Sequence, residues 1–277
     1  MKIINFLYYP QSIHRMNPDE YPEFWQPALH RLKPQIDRAL AACRDSQGRW
    51  NRYPAENQVF EALRQCPVPK VAIVGQDPYY NPGEATGLCF SLPETMPIPP
   101  KNSLRNIYLE MEAQGFQPPK RVVTRVVHID GRDVTRTYRV PTGDLTSWAR
   151  QGFLLLNASL TVMQGKPNCD APLWSAITTE LIMHMANPNP DSPADPDDPG
   201  CCFVLWGGFA QKFCRNIDPK VHLVIKGAHP SPLSVHLFRG NDHFRQITAF
   251  LKEKYGEDMR WDPSDPLPEE PSWRNGK

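Results

Sequence analysis

The sequence lacks a long hydrophobic run. No stretch of about 18 consecutive apolar residues occurs in its 277 residues. The first ten residues, MKIINFLYYP, also have no apolar segment of signal-peptide shape. We therefore expect neither a membrane partner nor secretion, and we predict a protein of the cytoplasm, prokaryotic or viral, or of the nucleus.

Paired cysteines are also missing. The seven cysteines are an odd, scattered set, and no two of them have the Cys-x-x-Cys spacing. Disulfides, zinc sites and iron–sulfur clusters need paired or clustered thiols, so the pattern favours buried free thiols. We expect no metal site.

A strong excess of either charge is absent as well. The formal net charge of +1 argues neither for nor against a polyanionic partner. The acidic residues are unevenly placed, because residues 187–200 hold four Asp and five Pro without any Lys or Arg. A segment of this composition cannot form a core, and we interpret it as an inserted, exposed Asp/Pro-rich loop.

Four short apolar runs indicate buried strands. Their length and continuity are typical of strands covered on both faces, and they lie at 70–75, 152–157, 201–206 and 221–226. Stretches of helical character lie before, between and after them, at 21–44, 56–66, 102–114, 144–151, 172–186, 207–216 and 241–254. We predict one α/β domain over residues 1–277, with a central four-stranded, parallel, twisted sheet flanked by helices on both faces.

Residues 120–140 do not fit this alternation. Two runs rich in β-branched residues flank Asp130-Gly131, a strong hairpin signal, and the segment carries five arginines, Arg125 and Arg136 among them. We predict an inserted β-hairpin. Two interpretations stay open: a solvated ribbon whose arginines protect its edges, or an arm that binds phosphate groups.

Polar or small residues follow each predicted strand. In chain order they are Gln76, Asp77, Asn157, Gly207, Gly208 and His229. Each alone could be an ordinary turn or capping residue. Because ligands bind at the carboxyl ends of parallel strands, we expect these residues to meet at one edge of the sheet. A carboxylate, an amide and an imidazole brought together there are typical of an active site.

Several longer motifs connect these residues. In chain order they are GQDPYY, GLCFSLP, PKNSLRNIY, DLTSWARQG, LLLNASLTV, LWGGFAQ and HPSPLS. Together they resemble the ordered motifs of uracil-DNA glycosylases of the Ung type, from about Tyr53 to Phe250. The resemblance implies a base excision repair enzyme that flips uracil out of DNA and hydrolyses its N-glycosidic bond, leaving an abasic site.

Two matched positions carry the reaction in that family. The resemblance places Asp77 against the sugar, where a carboxylate stabilises a cation-like transition state and orients or deprotonates the attacking water. It places His229, as a neutral donor, against uracil O2, where negative charge develops. No lysine in these motifs matches a Schiff-base nucleophile. The resemblance therefore implies a monofunctional glycosylase, without lyase activity, metal or cofactor.

Four further positions match residues that hold the base. Asn157 is placed to accept from uracil N3–H and to donate to O4, a pattern that cytosine reverses. Phe90 is placed to stack on the base, and Tyr79 to exclude the methyl group of thymine. The backbone around Gln76 and Asp77 is placed to donate to O2.

The remaining matches contact DNA. Leu233 corresponds to the residue that wedges into the base stack. The positions matched to phosphate-contacting loops are Ser103, Gly207, Gly208, Pro230 and Ser231. The implied partner is uracil-containing DNA, single- or double-stranded, bound by a monomer. A protein inhibitor of such glycosylases is a further expected partner.

Some positions depart from the family pattern. Tyr80 stands where the family usually has His, although a phenol can still donate to phosphate, and Gly208 replaces a common Ser. Residues 164–172 replace the usual Ser-His segment, and the stretch after HPSPLS lacks the usual Gly-Phe-Phe-Gly. Two alternatives therefore stay open beside the active enzyme: a glycosylase fold used as a DNA-binding or replication-partner module, and a glycosylase with a shifted base preference.

Overall fold

The computed structural model of the chain describes residues 16–188 and 198–263. Most of the predicted Asp/Pro-rich loop lies outside the described residues, as do both ends of the predicted domain. The elements are α1 (Gln26–Ala42), α2 (Glu61–Gln65), β1 (Val71–Gly75), α3 (Ser103–Ala113), β2 (Lys120–Ile129), β3 (Arg132–Pro141), α4 (Thr146–Ala149), β4 (Phe153–Asn157), α5 (Ala171–Ala186), β5 (Cys202–Trp206), α6 (Gly207–Ala210), β6 (Leu223–Gly227), α7 (Val235–Phe238) and α8 (His243–Tyr255).

The four predicted strands form one parallel sheet in the order β4-β1-β5-β6, flanked by helices. Each strand begins within two residues of its predicted start, and β1, β4 and β5 are buried along their whole length. The predicted fold class is therefore confirmed. The continuous apolar runs were informative because central strands covered on both faces have no polar side to alternate with.

The order of the strands creates a crevice. The chain places β4 on one side of β1 and then crosses to place β5 on the other side. The connection that leaves β1 leads to β4 on one side, whereas the connection that leaves its neighbour β5 leads to β6 on the other side. At such a switch point a crevice opens outside the carboxyl ends of the strands. Gly75 and Asn157 are register partners at this edge.

Two predicted helices are interrupted. Residues 56–66 form a 3₁₀ turn at Glu56–Gln58 and then α2, while Val59 and Phe60 between them are both buried. Tertiary burial outweighs helix propensity in so short a segment. Residues 207–216 similarly form α6 followed by a 3₁₀ segment at Gln211–Asn216.

Large aromatic side chains are prominent in the core. Trp25, Trp148, Trp174 and Trp206 are all less than 2% exposed. Trp206 ends β5 and packs edge-on against Phe238 with ring centroids 5.2 Å apart, which connects the sheet to α7. None of the helices in the described parts of the chain is long and apolar enough to cross a membrane.

The predicted hairpin is confirmed as a separate two-stranded antiparallel sheet of β2 and β3. Its turn residues, Asp130 and Gly131, have φ of 50° and 75°. Two consecutive left-handed residues suit the right-handed twist of a hairpin, and Asp-Gly reaches this conformation at little cost.

Candidate active site

A cavity of about 210 Å³ opens at the carboxyl ends of β1 and β4. Its lining combines strand ends with nearby turns: Gly75, Gln76, Asp77, Pro78, Tyr79, Tyr80, Ala85, Thr86, Gly87, Leu88, Phe90, Ser103, Asn157 and His229. Drug-sized ligands occupy pockets of roughly 300–1,000 Å³, so this cavity suits a smaller ring. The predicted meeting of Gln76, Asp77, Asn157 and His229 is therefore seen in the structure.

Asp77 is a half-buried carboxylate held by a backbone donor. The N–H of Asn168 donates to Asp77 Oδ2 at 2.8 Å. Burial raises the pKa of Asp77 above its usual 3.8, and the hydrogen bond from Asn168 opposes that rise. No ion pair to Asp77 occurs among the described residues, so its charge is left for a ligand.

Asn168 was missed by sequence reasoning. Its φ of 63° lies in the left-handed region, which asparagine tolerates better than most residues. The contribution comes from its backbone, and a backbone N–H carries no residue-type signal. The one available signal was that Asn168 lies in residues 164–172, the segment that departs from the family pattern.

The tautomer of His229 follows from its surroundings. Nδ1 accepts a hydrogen bond from the backbone N–H of Ser231 at 3.0 Å. A neutral ring therefore carries its proton on Nε2, where it can be donated. Burial lowers the pKa of His229 below its usual 6.5, which favours this neutral form.

Gly207 allows the close approach of the His229 turn. A Cβ at Gly207 would lie 2.9 Å from His229 Cβ, and φ at this residue is 89°. A larger residue there would be strained and would push the imidazole away. At Gly208, by contrast, an added Cβ would meet nothing within 4 Å.

Asn157 presents a free amide to the cavity. The residue is only 5% exposed, and its side chain has no hydrogen-bond partner in the described part of the chain. A Cβ at Gly75 would lie 2.3 Å from Asn157 Oδ1, so glycine is required beside it. Because the amide faces the cavity without a protein partner, its donor and acceptor are both available to a ligand with a matching acceptor and donor.

Phe90 and Tyr79 form the aromatic wall. Phe90 has a φ of 62°, and its ring centroid lies 5.9 Å from that of Trp206 and 5.8 Å from that of His229. The Tyr79 hydroxyl is within hydrogen-bond distance of Phe90 O and of Asn102 Oδ1, at 3.1 and 3.0 Å. Both rings are therefore held in place before any ligand binds.

Two asparagines that the sequence did not single out support this wall. Asn102 Oδ1 also accepts from Leu104 N and so caps α3, which places Ser103 at the cavity. Asn106 Nδ2 donates to Pro230 O at 2.7 Å and ties α3 to the turn after β6.

The rim carries an exposed apolar side chain. Leu233 is 91% exposed, and Tyr80 at the cavity edge is 42% exposed. The turn below Leu233 is stiffened because Ser234 Oγ donates to His229 O at 2.7 Å. Leu233, Pro230, Ser231, Gly207 and Gly208 flank the cavity without lining it.

Arg125 and Arg136 are not brought to the cavity. They lie on β2 and β3, in the separate hairpin sheet. No group of three or more His, Cys, Asp or Glu side chains that could hold a metal occurs within residues 16–188 and 198–263.

Comparisons with known proteins identify the family. The sequence model of the uracil DNA glycosylase superfamily matches residues 64–252. Uracil-DNA glycosylase of Chromobacterium violaceum is 38% identical over 259 residues, covering 92% of this chain and 94% of that protein. Uracil-DNA glycosylase of Streptococcus uberis is 41% identical over 219 residues, covering 78% and 85%.

Solved structures are similar as well. The crystal structure of mimivirus uracil-DNA glycosylase has a TM-score of 0.66 at 26% identity, with 90% of each chain covered. A variant of that glycosylase in complex with UGI has the same TM-score and identity, covering 90% of this chain and 92% of that one.

Proposed function

The chain belongs to the uracil DNA glycosylase superfamily, and from this premise we propose a role for each side chain in the cavity and on its rim. The enzyme removes uracil from DNA by hydrolysing the N-glycosidic bond, as in base excision repair. The cavity lining includes no lysine that could form a Schiff base, which supports a monofunctional reaction. The observation that carries the roles is that Asp77, Asn157 and His229 line one cavity.

Asp77 stabilises the sugar and directs the water. Cleavage leaves cation-like charge on the sugar, and a carboxylate without a counter-ion is the strongest available partner for it. The Asn168 N–H keeps the carboxylate oriented and lowers its pKa relative to burial alone.

His229 stabilises the departing base. As uracil leaves, negative charge develops on its O2, and Nε2–H of a neutral imidazole is a donor already in place. A neutral histidine also avoids an ion pair that would neutralise Asp77. Backbone groups around Gln76 add donors on the same side.

The remaining lining selects the base. The Asn157 amide pairs with uracil N3–H and O4, and cytosine would leave both of its groups mispaired. Phe90 stacks on the flipped ring. Tyr79 occupies the space beside C5, and its hydroxyl contacts prevent it from swinging away to admit a thymine methyl group.

The rim residues bind DNA. Leu233, which is 91% exposed, fills the space that the flipped base leaves in the stack. The phosphates are contacted by Ser103, Ser231, Tyr80 and the turns at Pro230, Gly207 and Gly208. The mimivirus relative occurs in complex with UGI, and a protein inhibitor of this kind is a proposed partner of this monomer as well.

A panel of oligonucleotides tests the activity. The protein is incubated with DNA carrying U·A, U·G, single-stranded U, T or C, and abasic sites are scored by alkali cleavage. Strand breaks only at uracil are expected. Binding without cleavage would instead favour a DNA-binding module, and cleavage at T or C would indicate a shifted base preference.

The pH dependence of kcat/KM tests the assigned protonation states. Asp77 must be ionised and His229 neutral, so both active forms are deprotonated. Because burial lowers the His229 pKa below 6.5 and raises the Asp77 pKa above 3.8, kcat/KM should decline on the acid side, with the histidine step centred below pH 6.5. Initial rates on single-stranded uracil DNA between about pH 4 and pH 9 measure this.

The same profile in a His229→Gln variant is the control. Its acid limb should persist, because Asp77 still titrates. If the activity of the parent protein rises as pH falls from neutrality, a protonated His229 is required, contrary to the role of a neutral donor.

A further inference from the structure

The arginines of the hairpin are sorted by face. Opposed residues of an antiparallel pair share a face, and faces alternate along each strand. The register Arg125↔Arg136 and Ile129↔Arg132 therefore defines one face, called the arginine face, which carries Arg121, Arg125, Arg132 and Arg136. Arg139 points the other way.

The two faces differ in their charge partners. On the opposite face Arg139 is paired with Asp262 at 3.1 Å, and His128 with Asp133 at 3.0 Å. On the arginine face the four guanidinium groups have no ion pair with any residue that the structure describes. Arg125 and Arg136 are direct cross-strand neighbours, and like charges in that position destabilise a sheet.

The hairpin projects from the domain. It is anchored at its base, where Lys120 N donates to Asp262 Oδ1 and Thr142 N to Pro119 O. Its ten-residue strands extend roughly 30 Å from that base, with Val126 still 66% exposed. A two-stranded ribbon of this kind is marginally stable alone and gains from a partner.

We propose that the arginine face is a second DNA-binding surface that contacts the phosphate backbone beyond the uracil cavity. The choice of DNA as the polyanion rests on the proposed function. Guanidinium groups pair with phosphate bidentately, and a phosphate between Arg125 and Arg136 would remove their repulsion. A two-stranded ribbon is also narrow enough for the DNA major groove.

The test compares charge-matched variants. One replaces Arg121, Arg125, Arg132 and Arg136 with Gln. The control replaces four exposed basic residues elsewhere, Arg31, Arg38, Lys252 and Lys254, with Gln. Affinity for a uracil-free duplex of about 30 base pairs is measured by fluorescence anisotropy between about 50 and 200 mM salt.

The arginine-face variant should lose about 10- to 100-fold in affinity, and its log Kd against log salt slope should fall by about 3 to 4. An Arg125→Gln/Arg136→Gln variant should lower the slope by about 2 while folding at least as well as the parent, because it removes a repulsion. Equal slopes in the parent and both hairpin variants would overturn the proposal. An acidic protein partner would then be the alternative.

A turnover assay separates a failure of the arginine-face proposal from a failure of the proposed activity. On a short single-stranded uracil substrate at saturation, the arginine-face variant should match the parent. Absence of turnover in the parent protein would contradict the proposed function. The salt dependence of DNA binding would still test the role of the arginine face.

A buried ion pair carries a second, independent inference. Two residues after Asn168, Asp170 is 3% exposed and its Oδ2 accepts from Arg52 Nε and Thr161 Oγ1, both at 2.7 Å. Thr161 Oγ1 in turn accepts from Trp174 Nε1 at 2.7 Å. By contrast, residues 164–169 are exposed.

Arg52 belongs to a segment that is itself fixed to this region. The backbones of its neighbour Tyr53 and of Val162 exchange two hydrogen bonds of 2.9 Å. The Arg52–Asp170 pair therefore ties the far end of the exposed loop to the backbone bridge between Tyr53 and Val162. The loop's one hydrogen bond to Asp77 is the Asn168 N–H.

We infer that Arg52 and Asp170 are positioning residues that hold the Asn168 N–H against Asp77. Asp170→Asn keeps the shape but removes the charge, and it should lower kcat about 10-fold with little change in KM. Because the lost Asn168 donor had lowered the Asp77 pKa, the acid limb of kcat/KM should also move to higher pH.

The double variant Arg52→Gln/Asp170→Asn removes both charges and therefore leaves no unpaired buried charge. It serves as a control that separates a loss of stability from a loss of positioning. Compared with Asp170→Asn, its thermal midpoint should return closer to that of the parent, whereas the acid limb of its kcat/KM profile should stay displaced. A lower thermal midpoint with an unmoved pH profile in both variants would overturn the positioning role.

Discussion

Replacing Asp77 with Asn should lower kcat about 1,000-fold while DNA affinity stays within about threefold of the parent. The variant is close to isosteric, and its side-chain oxygen can still accept from the Asn168 N–H. What it loses is the negative charge that faces the sugar. Single-turnover excision from uracil DNA and anisotropy with a non-hydrolysed duplex measure the two quantities.

A control separates charge loss at the site from charge loss in general. Asp258 is an exposed carboxylate paired with Lys252 on the surface, so Asp258→Asn should leave turnover at the parental value. Parental rates in Asp77→Asn would contradict the assigned role, and equal losses of turnover and binding would indicate a structural role instead.

Asn157→Asp should shift the preference of the base pocket towards cytosine. The substitution replaces the amide donor with a second acceptor in a site that is only 5% exposed. Uracil O4 would then face a carboxylate oxygen, whereas the amino group of cytosine would find an acceptor. Uracil excision should fall at least about 100-fold, because a buried polar mismatch discriminates by up to about 10⁴–10⁵-fold, and cytosine excision should become detectable.

Matched oligonucleotides with a single U or C, scored for abasic sites, measure this switch. Asn216→Asp, at an exposed position, is the control and should retain uracil specificity. Unchanged uracil excision without any cytosine product would refute the pairing assigned to Asn157.

The fold was largely predictable from the sequence because its central strands are buried on both faces. Continuous apolar runs are a strong signal, and the four strands were located within two residues. The hairpin was equally clear, since Asp130-Gly131 suits a turn with two left-handed residues. The helix at 56–66 was less predictable, because its interruption at Phe60 depends on what the core requires.

The sequence alone was also enough to predict which chemical groups would meet. Gln76, Asp77 and Asn157 stand at the ends of apolar runs, and parallel strands bring their carboxyl ends to one edge. The roles proposed for these residues stay predictions until the variants are measured.

How those groups are held depends on contacts that form in the folded protein. Asn168 lies 91 residues from Asp77 and acts through its backbone, which no residue pattern encodes. The Ser231 N–H that selects the His229 tautomer is likewise set by packing. So is the Asp262 carboxylate, which pairs with Arg139, whereas Arg125 and Arg136 have no ion pair among the described residues. Apolar patterns determine which segments are buried, whereas hydrogen-bond partners depend on distances that arise only when the chain is folded.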